Sequence, residues 1–269
     1  MPPIVIVTGA SRGVGKGVAL ALGSTGATVY VTGRTRRGDA HVIGGSIDDT
    51  ADEVTARGGR GIAVACDHTD DASVEEVFER VNADHGRLDV LVNNAFAIPD
   101  GKQHGVPFFE LPLAAWDTMI DVGLRSHYIA SVLAARRMVV ARTGLIVNIS
   151  SFGAGSYQVN VPYGVGKAAV DRLTRDSARD LAPFDIAVVS LWPGIVRTER
   201  MLAGQFPYDT TISESPELTG RAVAALLELP AAERASRSGK ALIVAELAAE
   251  LGFTDVDGTR PASLRRAKK

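Results

Sequence analysis

The sequence predicts a single α/β domain: a mostly parallel sheet, doubly wound, with helices on both faces. Two observations predict it. Short β-branched, apolar runs alternate with helix-period segments almost to the end of the chain, and strands separated by helices pair in parallel through crossovers. The first run, Ile4 to Val7, opens directly into Thr8-Gly9-Ala10-Ser11-Arg12-Gly13-Val14-Gly15, a glycine-rich turn at the start of a helix.

That turn has a physical use. Gly9 supplies the tight bend after the strand. Gly13 lets backbone approach a diphosphate with no Cβ in the way, and Gly15 lets the helix lie close to the sheet. Unpaired N–H groups at the helix start face the ligand, and the helix dipole favours its negative charge. Gly9, Ser11, Arg12, Gly13, Val14 and Gly15 are therefore candidate cofactor-binding residues of a Rossmann-type site.

The bulk numbers set limits. The 269 residues are 46% apolar and 22% charged, enough to bury a sizeable core in one domain spanning 1–269. A net charge of −2 argues against a general nucleic-acid binder. No apolar run approaches the roughly 20 residues that span a bilayer. Met-Pro-Pro leads straight into the first strand, so no signal peptide is expected. One cysteine, Cys66, gives no internal disulfide and reads as a small core residue. A cytoplasmic protein is the expectation.

In chain order, Val18 to Leu22 continue the first helix until Gly23 and Gly26 stop it. Thr28 to Thr32 is the second strand, followed by Gly33-Arg34-Thr35-Arg36-Arg37. In a doubly wound sheet this strand end lies beside the adenosine ribose. No carboxylate stands there to grip a 2′-hydroxyl. Arg34, together with Arg12, can instead bind a 2′-phosphate through charge-assisted bonds worth about 1.5–3 kcal/mol each. NADP(H) is the preferred cofactor, NAD(H) a possible one. Arg36 and Arg37 read as solvated loop charges.

A loop over 41–45 and a polar helix over 48–57 lead to the third strand, 61–66, with Asp67 at its ligand-facing end. Asp70 or Asp71 caps the next helix, whose Val74, Val77, Phe78 and Val81 recur at helical spacing. Strand four, 88–92, ends at Asn93-Asn94-Ala95. A proline-rich loop over 98–113 forms a lid or substrate wall. One long helix over 114–141 follows, with Met119, Val122, Tyr128, Ile129, Val132 and Leu133 as core. Strand five, 145–149, delivers Ser150 and Ser151. A helix over 161–181 carries Tyr163 and Lys167. Strand six, 186–191, ends at Trp192-Pro193-Gly194. A variable loop at about 199–215 precedes a helix over 218–229 and a last strand, 240–245. The tail, about 246–269, begins with a short helix to Leu251. Its basic end, Arg265-Arg266-Ala267-Lys268-Lys269, reads as solvated.

Tyr163 and Lys167 are four apart, so both lie on one helix face. An ammonium beside a phenol favours the phenolate and lowers a tyrosine pKa from its usual value of about 10. Tyr163 then becomes a general acid or base, a nearby serine hydroxyl can bond the same substrate oxygen, and Lys167 can also hold ribose hydroxyls. A surface Tyr–Lys pair is the plain alternative.

Taken together, the glycine turn, Asp67, Asn93-Asn94-Ala95, Ser150-Ser151, Tyr163-Gly164-Val165-Gly166-Lys167 and Pro193-Gly194 with Thr198 resemble the short-chain dehydrogenase/reductase family. Asn148 to Ser151, Val161 to Lys167, Ser190 to Val196 and Asp255-Val256-Asp257-Gly258 resemble, within it, the branch of dehydrogenase/reductase SDR family member 1. The resemblance implies an oxidoreductase moving a hydride between nicotinamide and a small-molecule carbonyl or secondary alcohol. It implies Tyr163 as proton donor, Lys167 as its activator and Ser151 as the catalytic serine. Asp67 would contact adenine, Asn93 and Ala95 would line the cleft, and Pro193, Val196 and Thr198 would hold the nicotinamide end. It also implies a homodimer or homotetramer through the two long helices. Phe108, Phe109, Trp192, Met201, Leu202 and Phe206 suggest an apolar pocket, though each reads equally as core.

Two departures stand out. Phe96 replaces a glycine usual in the family, narrowing the rim. Gly123 stands where many members carry an asparagine supporting a proton-relay water, and a water is expected to fill the missing amide volume. His127 either assists that relay or packs at a subunit contact. A non-catalytic NADP-binding sensor or partner-binding module is the alternative function that these departures keep open.

Overall fold

The computed structural model describes residues 1–41, 43–204 and 212–265. Seven strands form one sheet: β1 Ile4–Val7, β2 Thr28–Gly33, β3 Arg60–Ala65, β4 Val90–Asn93, β5 Gly144–Ile149, β6 Ile186–Trp192 and β7 Ala241–Ile243. Their order is β3-β2-β1-β4-β5-β6-β7. Each neighbouring pair runs parallel, so the mixed character allowed by the sequence is not used. Strand order reverses between β1 and β4, which opens a crevice beyond their carboxyl ends.

The strands are buried on both faces because alternate residues feed two cores. Val5 and Val7 pack with α1 (Gly13–Gly23), α2 (Ile47–Ala56), α8 (Pro216–Glu228) and α10 (Val244–Leu251). Ile4 and Ile6 pack with α3 (Asp71–His85), α5 (Ser126–Ala141) and α6 (Val161–Leu181).

Caps place the helices. Asp70, rather than Asp71, caps α3 by accepting from Ala72 N at 3.0 Å. Asn160 caps α6 by accepting from Tyr163 N at 3.0 Å, with Pro162 in the first turn. That cap sets Tyr163 one turn into α6, at the crevice.

The long central helix is present, as α4 (Ala114–Ile120) running into α5 through one π turn at Asp121–Arg125. Tyr128 departs from its expected core place: it is 53% exposed, because the buried stripe of α5 runs through His127, Ala130, Ser131, Ala134 and Met138, and Tyr128 projects about 100° round the helix from it. The last strand is shorter than expected, since Val244 already begins α10. A further helix, α9 (Ala231–Arg237), precedes β7 and lacks buried residues, so no apolar periodicity announced it.

Candidate active site

The glycine turn fits the crevice closely. Gly9 has φ +62° and Gly13 φ +59°, a backbone region that costs other residues energy. A Cβ on Gly15 would stand 2.4 Å from the Gly9 carbonyl. Thr8 Oγ1 accepts from Asn94 N at 2.9 Å and Ala95 N at 3.0 Å. Asn94 Nδ2 donates to the Thr8 and Gly9 carbonyls, each at 2.9 Å. Asn94 thus ties the end of β4 to the turn.

Asn93, expected to line the cleft, does not present its side chain there. β4 runs one residue further than predicted, so alternation turns the Asn93 amide inward. It is fully buried and donates to Ser131 Oγ and Asn148 Oδ1, each at 2.9 Å.

Gly9, Ser11, Arg12, Gly13, Val14, Arg34, Asp67, Ala95 and Thr198 come together around one open cleft. Gly15 supports it from behind. The Gly13 N–H already holds an anion: it donates to Glu199 Oε2 at 2.8 Å. Glu199 opens the short helix α7 (Glu199–Leu202), and its carboxylate accepts from a free N–H at a helix start, as a phosphate oxygen can. The turn therefore fits a diphosphate.

At the end of the cleft beyond β2 and β3, Asp67 Oδ1 accepts from Thr69 N at 3.0 Å and Thr69 Oγ1 at 2.8 Å. These bonds, led by the backbone one, hold its carboxyl below the usual carboxylate range. Arg34 Nη1 lies 4.0 Å from Asp67 Oδ2, with the Arg34 side chain 70% exposed over the cleft. Arg12 donates to the Gly44 and Gly45 carbonyls at 2.7 and 2.8 Å and to Thr35 Oγ1 at 3.2 Å. It straps the following loop to the glycine turn, and desolvation lowers its pKa. Arg36 and Arg37 are exposed loop charges as expected, paired with Asp48, Asp49 and Asp52 at the start of α2. Cys66 is buried, which pushes its thiol up to about 11, as expected of a core residue.

At the other end, Tyr163 Oη donates to Ser151 Oγ at 2.8 Å, and Gly153 N donates to the same oxygen at 3.0 Å. Ser151, accepting twice, keeps its own O–H for a substrate oxygen. Ser150 instead turns toward α6 and donates to the Lys167 carbonyl at 3.2 Å. Lys167 is 6% exposed, and Nζ donates to the Ile149 carbonyl at 3.0 Å. Burial lowers its pKa to about 8. Nζ lies 5.9 Å from the Tyr163 ring centroid. Pro193, Val196 and Thr198 border this second cleft, which shares Val14, Asn94, Phe96 and Thr198 with the first.

The volume beside Gly123 is filled by protein, not by the expected water. A Cβ on Gly123 would come within 2.6 Å of the Phe96 ring. His127 is buried rather than at a surface, with Nε2 3.0 Å from the Ala95 carbonyl. Burial pushes its pKa down to about 3, so the ring is neutral and braces the cleft loop.

Among the apolar candidates, Met201 borders the cleft. Trp192 packs on Phe152 at 5.3 Å between centroids. Phe108, Phe109 and Leu202 are exposed, at 63%, 74% and 67%, and lie outside both clefts. Phe206 and the basic residues Arg266 to Lys269 lie outside the described residues.

Sequence reasoning missed Glu199 and the brace behind Gly194. Glu214 Oε1 accepts from Gly194 N at 3.0 Å, and burial raises its pKa to about 7. Asp255, 1% exposed, accepts from Ser215 N at 2.7 Å and lies 3.6 Å from Arg197 Nη2. Leu264, from the tail, borders the cleft. An acid between serines at 213–215 and a lone Asp255-Val256-Asp257-Gly258 were the only local signals.

A family model described as short chain dehydrogenase matches residues 3–205. The chain belongs to this family. As a short-chain dehydrogenase it is 43% identical over 271 residues to dehydrogenase/reductase SDR family member 1 of Mus musculus, covering 95% of this chain and 83% of the relative. It is 33% identical over 264 residues to cis-4-hydroxycyclohexanecarboxylate dehydrogenase of Sinomonas cyclohexanicum, covering 94% and 97%. A metagenomic short-chain oxidoreductase crystallised in complex with NADP superposes with a TM-score of 0.71 at 27% identity, covering 90% of this chain and 95% of that one. The branch read from the motifs agrees with the first of these relatives. No helix among the described residues is long and apolar enough to cross a membrane.

Proposed function

We propose that this short-chain dehydrogenase is a one-domain, cytoplasmic, NADP(H)-dependent carbonyl reductase or alcohol dehydrogenase acting on neutral, apolar small molecules. The observation that carries the reading is the 2.8 Å bond from Tyr163 Oη to Ser151 Oγ, set beside buried Lys167 in the second cleft. A bound nicotinamide would supply or accept the hydride. The chain's own residues handle the oxygen. Ser151 donates to it and orients the carbonyl, and Tyr163 Oη gives it a proton in the direction of reduction. Lys167 stabilises the negative charge left on the phenol.

Gly9, Ser11, Arg12, Gly13 and Val14 would cradle the diphosphate over the start of α1, with Asp67 and Ala95 along the nucleoside and Pro193, Val196 and Thr198 at the nicotinamide. Preference for NADP(H) is supported by Gly33, which leaves no carboxylate at the end of β2, and by Arg12 and Arg34 around that spot. Apart from Lys167, the described side chains that line the catalytic cleft carry no charge, which suits a neutral substrate. Exposed Tyr128 on α5 and Val165 on α6 support assembly of a homodimer or homotetramer through these helices, read by sedimentation.

The test is NADPH oxidation against a panel of apolar ketones and aldehydes. Turnover with at least one of them, lost in Tyr163→Phe while NADPH still binds, is expected. No turnover across the panel, or full turnover in Tyr163→Phe, would sink the reading.

A further inference from the structure

The ring of Phe96 and the absent side chain of Gly123 form one device. Gly123 is buried in the π turn between α4 and α5. A Cβ there would stand 2.6 Å from Phe96 Cδ2 and 2.9 Å from Cε2, so the ring can lie where it does only because residue 123 is glycine. The same ring meets Tyr163 edge to face, with centroids 5.7 Å apart and planes at 82°. Its face lies over the ammonium of Lys167, 4.8 Å from Nζ to centroid. That ammonium is buried, and among the described residues the Ile149 carbonyl is the one hydrogen-bond acceptor it reaches. A buried cation with a single acceptor and one carboxylate, Asp171, that it does not hydrogen-bond is incompletely compensated. An aromatic face at this distance attracts it, and more strongly once water is excluded.

We propose that Phe96 is a positioning residue, holding Lys167 charged and in place against Tyr163, and that Gly123 is the space that admits it. The inference rests on the function proposed above, since it takes Tyr163 and Lys167 as the proton-transfer pair. Burial drives the lysine pKa down and the charge of Asp171, one turn further along α6, raises it; the ring adds to the carboxylate in opposing that fall. The same ring packs against the phenol ring, so one side chain touches both partners.

The experiment titrates the Lys167 ammonium by 13C NMR of labelled lysine in the full-length protein, with the signal assigned by Lys167→Arg. Phe96→Leu, which keeps apolar bulk and removes the aromatic face, should lower the Lys167 pKa by about one unit. Phe96→Tyr should restore it to within a few tenths. The alkaline limb of the kcat profile should move with the titration. Gly123→Asn displaces the ring and should reproduce the Leu shift with a lowered Tm, and Phe96→Gly combined with Gly123→Asn should recover the Tm. A titration unchanged in Phe96→Leu, or shifted equally in Phe96→Tyr, overturns the proposal. Full turnover in Tyr163→Phe would instead overturn the assigned reaction, and the NMR titration would still decide what Phe96 does.

Discussion

The Glu199 carboxylate should compete with a bound dinucleotide for one N–H. It accepts from Gly13 N at 2.8 Å, at the start of α1, where a diphosphate would sit. Binding a dinucleotide must break this bond and move the charge aside. A hydrogen bond to a charged group is worth about 1.5–3 kcal/mol. Glu199 is only partly buried, so solvent screening favours the lower end, about 1.5 kcal/mol. At 1.4 kcal/mol per decade, Glu199→Ala should tighten NADPH binding about tenfold. Glu199→Gln, which keeps an acceptor and loses the charge, should fall between. The assay is NADPH fluorescence titration at fixed ionic strength, beside two adenosine fragments. Adenosine diphosphate carries the competing group and should gain as NADPH does. Adenosine 2′-monophosphate lacks the diphosphate and should bind unchanged. Equal gains for both fragments would assign the effect to general charge. Weaker NADPH binding in Glu199→Ala would refute the competition itself.

Arg34→Ala should weaken NADPH about tenfold while leaving NADH within twofold, from the loss of one charge-assisted phosphate bond of about 1.5 kcal/mol; equal losses for both cofactors would contradict the assignment. Glu214 has a raised pKa, about 7 against 4.5, so the folded state holds its proton more tightly than the unfolded chain. Its stabilising contribution is complete below pH 4.5 and is lost as pH rises to 7, about 3 kcal/mol in all. Glu214→Gln should flatten that part of the stability profile in urea melts, and an unchanged slope would count against the buried carboxyl. His127→Ala should cost about 2–3 kcal/mol of unfolding free energy, from a cavity and an orphaned Ala95 carbonyl, with the shape of the pH–rate profile retained. A changed profile with intact stability would return His127 to the proton relay.

The fold was legible because its strands are short apolar blocks and its helices carry clear caps and periods. β1 matches its predicted bounds, and β2, β3, β5 and β6 lie within one residue of theirs. Tyr163 and Lys167 were legible from helical spacing and the serine pair from a strand end, whereas the choice of Ser151 over Ser150 came from the family resemblance. Asn93 was misplaced by a single residue of strand length, which in an alternating element exchanges core for cleft. Tyr128 was misplaced because small and polar residues, His127, Ala130, Ser131 and Ala134, form the buried stripe of α5, and apolar periodicity alone follows the larger side chains beside it. Phe96 and Gly123 were each noticed, but their contact joins residues far apart in the chain, which spacing does not reveal. Glu199 and Glu214 act through backbone N–H groups of distant turns, and such contacts depend on where loops come to rest.

The brace of Asp255 on Ser215 and the reach of Leu264 to the cleft belong to a segment that adds no strand to the sheet. Part of the rim of the proposed substrate site, at Leu264, is therefore built by a different stretch of chain from the one that holds the proposed proton donor. Exchange of residues 252–265 with those of another family member should retune which molecules enter while sparing the chemistry that meets them.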